Sequence, residues 1–325
     1  MTFVAIAAVA VAFGAAGWWL ARGTPASCVT PVDGVETVRY VERDGTAPAL
    51  TSLDIHASPD AEGCPVLIWV HGGSWQAGDK SSRLTRVKAE HFVAQGWVFV
   101  SVNYRLAAEE NDVRWPAFGD DVAAAVRWVR DDIRRFGGDP ERISLIGHSS
   151  GAHLVSIVGT NEELLGRNGS TIDDVRCVVS LDSVTHDLTD PPPWEVDIID
   201  LAFPDDEAMV DGSPTLQAPT TSATPPAFLI VTRGRQERLD SSARLAETLR
   251  AAGGSADVAD LTPYDHGEVS SELGVPGEQR VTPIVDRFLD TCGRPDDPVA
   301  DTSTPSTEPR GQSAAALLPT TGRRA

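Results

Sequence analysis

Gly147-His148-Ser149-Ser150-Gly151 follows the apolar run ISLI and opens the helical pattern AHLVSIV. A serine flanked this way by glycines, between a strand and a helix, sits in a turn too tight for neighbouring side chains. Such a turn lifts the hydroxyl above the sheet edge and points the N–H groups of the next helix toward it. Ser149 is therefore the candidate nucleophile. A serine of ordinary acidity needs a base. Of the 7 histidines, His266, in PYDHGEVSSELG, follows the last strand-like run and suits the chain order serine, acid, histidine. His71 and His148 are expected to brace loops, and His153 to be structural. No two histidines have metal-ligand spacing, so neither metal nor cofactor is expected.

Attack on a carbonyl creates an oxyanion, which backbone N–H groups can hold without reorganising. HGGSW, residues 71–75, follows the strand-like VLIWV and offers the N–H groups of Gly72 and Gly73 alongside that of Ser150. Trp75 is expected to wall the substrate pocket. For the acid, Glu237 lies early in the loop after AFLIVTR, where a carboxylate can reach the imidazole N–H and fix its tautomer. Arg233, Arg235 and Arg238 would keep it ionised. Asp240 directly precedes SSARLAETLRAAGG and reads as a helix cap. Asp182, closing the run RCVVSLD, is the first alternative acid and Asp240 the second.

The elements that must position these residues alternate along the chain. Strand-like runs occupy 35–41, 50–57, 66–71, 97–103, 143–148, 176–182, 227–233 and 256–261. Helical periodicity fills 82–95, 117–136, 150–159, 241–252 and 279–291. This alternation predicts an α/β fold with a mostly parallel eight-stranded sheet and helices on both faces. In such sheets the site lies at the carboxyl ends of the strands. Residues 34–292 would form one catalytic domain, and the Pro-rich stretch 183–226 a lid-like insert within it.

The formal charge of -20, with an isoelectric point near 4.6, argues against the extended basic surface that nucleic acid needs, so no nucleic-acid partner is expected. Residues 3–20 form an uncharged apolar run ending in Trp18 and Trp19, with Arg22 beyond. Residues 1–23 thus read as an export signal or membrane anchor, and 24–33 as a linker. The expected location is outside the cytoplasm, secreted or held on the outer membrane face. The 4 cysteines, Cys28, Cys64, Cys177 and Cys292, permit two disulfides in any of three pairings, with Cys177 equally readable as a buried thiol. The tail 293–325, rich in Pro, Thr and Ser, is expected to be disordered, its LPTTG a chance match to a cell-wall sorting signal.

Taken together, the chain resembles the α/β-hydrolase superfamily over residues 35–292. It is most similar to carboxylesterases with an HGGxW motif of the BD-FAE-like type, and to the related kynurenine formamidases. The resemblance rests on HGGSWQAGDK (71–80), NYRLA (103–107), WPAFGDDVAAAVRWV (115–129), FGGDPERISLIGHSSGAH (136–153), DGSP (211–214) and His266 with LGVPG after it. It implies a cofactor-free hydrolase of small-molecule esters, with Ser149 as nucleophile, His266 as base, and Gly72, Gly73 and Ser150 around the oxyanion. Where that family reads HGxxD after the penultimate strand, this chain places Glu237. Two other activities fit the same motifs, an arylformamidase and an inactive hydrolase fold used for binding.

Overall fold

In the computed structural model, which describes residues 26–29 and 34–292, all eight strand-like runs join one sheet. They are β1 (Glu36–Arg39), β2 (Ser52–His56), β3 (Cys64–Val70), β4 (Val98–Val102), β5 (Gly138–His148), β6 (Cys177–Leu181), β7 (Ala227–Thr232) and β8 (Ala256–Asp260). Their order is β1-β2-β4-β3-β5-β6-β7-β8. β1 and β2 are antiparallel to their neighbours, and every pairing from β4 to β8 is parallel. β5 therefore lies deep in the sheet, so Ser149 emerges between the ends of β3 and β6.

Ten α-helices complete the domain: α1 (Arg83–Ala94), α2 (Ala117–Asp132), α3 (Ser150–Val158), α4 (Glu162–Arg167), α5 (Val196–Ala202), α6 (Asp206–Asp211), α7 (Pro214–Gln217), α8 (Gln236–Ala251), α9 (His266–Ser271) and α10 (Val281–Cys292). The count applies to the described residues. The inner strands are apolar on both faces, as strands covered on both sides must be. Val66, Ile68 and Val70 of β3 face a core shared with α2, α3 and α8, whereas Leu67 and Trp69 face one shared with α1 and α10. Burying these alternating side chains fixes the register, because a one-residue slip would turn each to the wrong side.

Two disulfides, Cys28–Cys64 and Cys177–Cys292, tie the first and last described segments to the starts of β3 and β6. Cys177 is thus bridged. The stretch 183–226 folds into α5, α6, α7 and short connecting turns. No helix among the described residues is long and apolar enough to cross a membrane. The apolar run at 3–20 and the tail at 293–325 lie outside the described residues.

Candidate active site

β5 ends at His148, and α3 starts at Ser150, leaving Ser149 alone to turn the chain at φ 57° and ψ -123°. The turn works only because its flanks are glycine. A Cβ on Gly147 would strike the Gly151 carbonyl, and one on Gly151 would strike the carbonyls of Val70 and His71. The Ser149 N–H donates to Leu181 O at 3.0 Å, tying the elbow to the end of β6.

From there a single chain of hydrogen bonds runs away from the serine. Ser149 Oγ donates to His266 Nε2 at 3.0 Å, and His266 Nδ1–H donates to Asp182 Oδ2 at 2.6 Å. Asp182 is completely buried at the end of β6, with its own N–H bonded to Val231 O. Arg233 Nε reaches the same oxygen at 2.8 Å, and Arg238 Nη1 reaches the other at 3.2 Å. Burial alone would raise the carboxyl's pKa. The His266 hydrogen bond and the two guanidinium charges outweigh it and hold the group below its ordinary value. His266 opens α9, whose first turn is locked by a capping box between Asp265 and Glu268. Behind it, His148 Nε2–H donates to the His266 carbonyl at 2.8 Å, and the two rings lie 4.5 Å apart. Burial and the neighbouring imidazole push His148 down to about 4, so it is neutral and acts as a brace.

The HGGSW loop faces the elbow. Gly72 lies so close that an added Cβ would sit 2.7 Å from His148 O and 3.0 Å from Ser149 Cβ. Gly73, at φ 129°, accepts from the N–H groups of Gln76 and Ala77, and a Cβ there would collide with the Ala77 carbonyl. Only glycine permits this approach, which brings the loop backbone beside the N-terminus of α3, where Ser150 begins. Trp75 is buried and donates its Nε1–H to His153 Nδ1 at 3.3 Å, while His153 Nε2–H donates to Gly212 O at 2.7 Å. His153 is held neutral by complete burial, its pKa pushed down to about 4. It thereby ties the elbow helix to the DGSP segment of the insert.

Among the described residues, the non-glycine residues with positive φ are Ser74, Trp75, Ser149 and Asp182. All four line one small cavity with Ser150, Ser183, Val184, Thr185, Glu195, Arg238 and His266. Backbone strain of this kind costs on the order of 1–3 kcal/mol per residue, and it gathers where function needs it.

Comparison with known proteins points the same way. The BD-FAE family model matches residues 53–186. Carboxylesterase NlhH of Mycobacterium tuberculosis is 31% identical over 279 residues, covering 81% of this chain and 86% of the relative. The chain belongs to the α/β-hydrolase carboxylesterases. Esterase LipI of the same organism is 29% identical over 285 residues, covering 77% of this chain and 86% of the relative. The fold is shared with a thermophilic carboxylesterase cloned from a metagenomic library (TM-score 0.66, 22% identity, 89% of this chain and 100% of that one). It is shared too with the hyperthermophilic esterase from Pyrobaculum calidifontis (TM-score 0.60, 20% identity, 87% and 92%).

In this carboxylesterase the structure brings together Ser149, His266, Asp182, Gly72, Gly73, Ser150 and Trp75, but not Glu237 or Asp240. Glu237 as the acid is a correction, and its cause is the start of α8. The helix begins at Gln236, so Glu237 sits in its first turn with an exposed side chain, while Arg238, one position on, turns inward to Asp182. Of the three arginines expected to support Glu237, Arg233 and Arg238 support Asp182 instead, and Arg235 lies over Trp194. Asp240 does not cap the helix. Arg235 occupies the N-cap position without a side-chain bond, and Asp240 lies a turn inside, accepting from Gln236 Nε2 at 2.8 Å. His148 braces a loop as expected, through the His266 carbonyl, whereas the sequence reading missed the contribution of Glu195 from the insert. Three arginines within six positions around a single glutamate were the available sign that their carboxylate partner lay elsewhere in the chain.

Proposed function

We propose that this carboxylesterase works as a serine hydrolase through an acyl-enzyme, with Ser149, His266 and Asp182 as its triad. The observation that carries the reading is the unbroken series of contacts from Ser149 Oγ through both ring nitrogens of His266 to Asp182. Ser149 Oγ attacks the ester carbonyl carbon while His266 Nε2 takes the hydroxyl proton. The oxyanion is held by backbone N–H groups around Gly72, Gly73 and Ser150. Collapse breaks the bond to the alcohol oxygen, which leaves with the proton from His266. Water then attacks the acyl-Ser149 carbonyl and gives a proton to His266, which returns it to Ser149 Oγ as the acid departs. Asp182 stays ionised throughout, holding the Nδ1–H tautomer and stabilising the imidazolium.

The cavity at Ser149 measures about 20 Å³, little more than a water molecule needs, which supports short acyl groups as substrates. The two disulfides support an oxidising location, so we place the enzyme outside the cytoplasm, carried there by its N-terminal apolar run. The mechanistic test is a rapid-mixing experiment with p-nitrophenyl acetate. A burst of p-nitrophenol equal to the enzyme concentration is expected where deacylation is slow, together with an acetyl adduct on an acid-quenched active-site peptide. Steady turnover with no trappable acyl-enzyme at any pH would count against the covalent route.

A further inference from the structure

The cavity at Ser149 shares Arg238 with a second cavity of about 270 Å³, lined by Trp194, Arg233, Arg235 and Arg238. Three guanidinium groups therefore gather beside the catalytic centre of a chain whose formal charge is -20. The overall field of such a protein repels anions, so a local cationic cluster is the means of holding one. Two carboxylates face the cluster. Asp182 is fully buried and spent on His266, Arg233 and Arg238, and Glu195 Oε1 lies 3.9 Å from Arg238 Nη2. Arg235 pairs with no carboxylate among the described residues; its Cζ lies 4.7 Å over the ring of Trp194, which is 42% exposed. A guanidinium held over an indole face is restrained there and keeps N–H groups available for a carboxylate or phosphate, which it can receive in two parallel hydrogen bonds. An exposed tryptophan that a domain could have replaced with a polar residue is explained by the same role.

We propose that this arginine-lined cavity is a subsite for an anionic oxygen group, carboxylate or phosphate, borne by the ester substrate a few atoms from its scissile carbonyl. The kinetic arm of its test rests on the serine-hydrolase reading above, and the binding arm does not. For kinetics, kcat/KM is compared for p-nitrophenyl hydrogen glutarate and its uncharged counterpart, p-nitrophenyl pentanoate. The anionic ester should be preferred about tenfold, the worth of one charge-assisted hydrogen bond. Arg235→Gln and Trp194→Ala should each bring that ratio toward unity, as should ionic strength of about 1 M, where the screening length falls to about 3 Å. For binding, the Ser149→Ala variant is titrated calorimetrically with monomethyl glutarate and with inorganic phosphate. Saturable binding that Arg235→Gln abolishes is expected, and whichever anion binds more tightly identifies the preferred group. Equal kcat/KM for the two esters, or no saturable binding of either anion, overturns the subsite. Anion binding without turnover of either ester would sink the serine-hydrolase reading and leave the subsite supported.

Discussion

Replacing Asp182 with asparagine removes one charge and almost no volume, so it separates the electrostatic part of the site from its shape. In the native arrangement the carboxylate accepts from His266 Nδ1 at 2.6 Å and sits between Arg233 and Arg238. As His266 accepts the serine proton, the imidazolium and the carboxylate form an ion pair with charge centres about 4 Å apart, worth about 4 kcal/mol at an effective dielectric constant of about 20. Losing it raises the barrier by about a thousandfold in rate. An asparagine that turns its NH₂ toward the ring adds to this, because it selects the tautomer with the proton on Nε2, which can no longer accept from Ser149. The two arginines, left without their counter-charge, oppose the imidazolium further. The expected fall in kcat with p-nitrophenyl butanoate is therefore about 10³ to 10⁴, the upper end matching the known cost of this substitution in serine proteases. Glu237→Gln should change kcat less than twofold. Because Asp182→Asn leaves the buried Arg238 and the half-buried Arg233 short of a partner, circular dichroism and a melting curve must accompany the rates. A folded Asp182→Asn variant within tenfold of wild type, or a hundredfold loss in Glu237→Gln, would refute the assignment.

Further outcomes follow from other parts of the structure. His153 and His186 are completely buried and held neutral by that burial, with pKa values pushed down to about 4 and about 3. The unfolded chain takes up protons at these histidines below about pH 6.5, where the folded chain does not, so stability is full above that pH and falls as pH decreases. Lowering the pH from about 7.5 to about 5.5 should cost about 3 kcal/mol from this pair, measured by urea denaturation at each pH; a flat midpoint would show that both rings are protonated in the fold, and about half the loss that one is. The small cavity at Ser149 predicts that kcat/KM declines at least tenfold from butanoate to dodecanoate p-nitrophenyl esters, and a rise with chain length would mean the pocket opens to admit them. Replacing Cys177 and Cys292 together by serine removes a bridge spanning 115 residues, and should cost about 2–5 kcal/mol of stability, with active-site titration of the purified variant showing the site still assembles below its lowered melting point.

The inner strands were legible because each is an apolar run bounded by polar turns, and inner strands of a parallel sheet must be apolar on both faces; the edge strands β1 and β8 are mixed and more exposed, and were placed by the alternation around them. Ser149, His266 and the HGGSW loop were legible for a related reason. Their positions depend on local backbone demands, and glycine spacing records those demands in the sequence. The acid was not legible, because a carboxylate's role depends on which way a side chain points once the helix register is set. α8 begins several residues before its apolar periodicity becomes clear, so Glu237 looked like a loop residue and Asp240 like a helix cap when both lie on the helix surface. Asp182 carried a sign of its own, an acidic residue ending an apolar strand beside the nucleophile strand. Its positive φ and its two arginine partners emerge only when β6, β7 and α8 are packed together. The contribution of Trp194 and Glu195 was hidden for the same reason, since the insert has no periodicity that would aim its side chains.

The most direct measurement is labelling with a fluorophosphonate, followed by peptide mapping. The wild-type enzyme should acquire one phosphonyl adduct on Ser149 and lose esterase activity in proportion, Ser149→Ala should acquire none, and Asp182→Asn should react about a thousandfold more slowly. An adduct on any other residue, or ester hydrolysis that persists in Ser149→Ala, would contradict the assignment of Ser149 as the nucleophile.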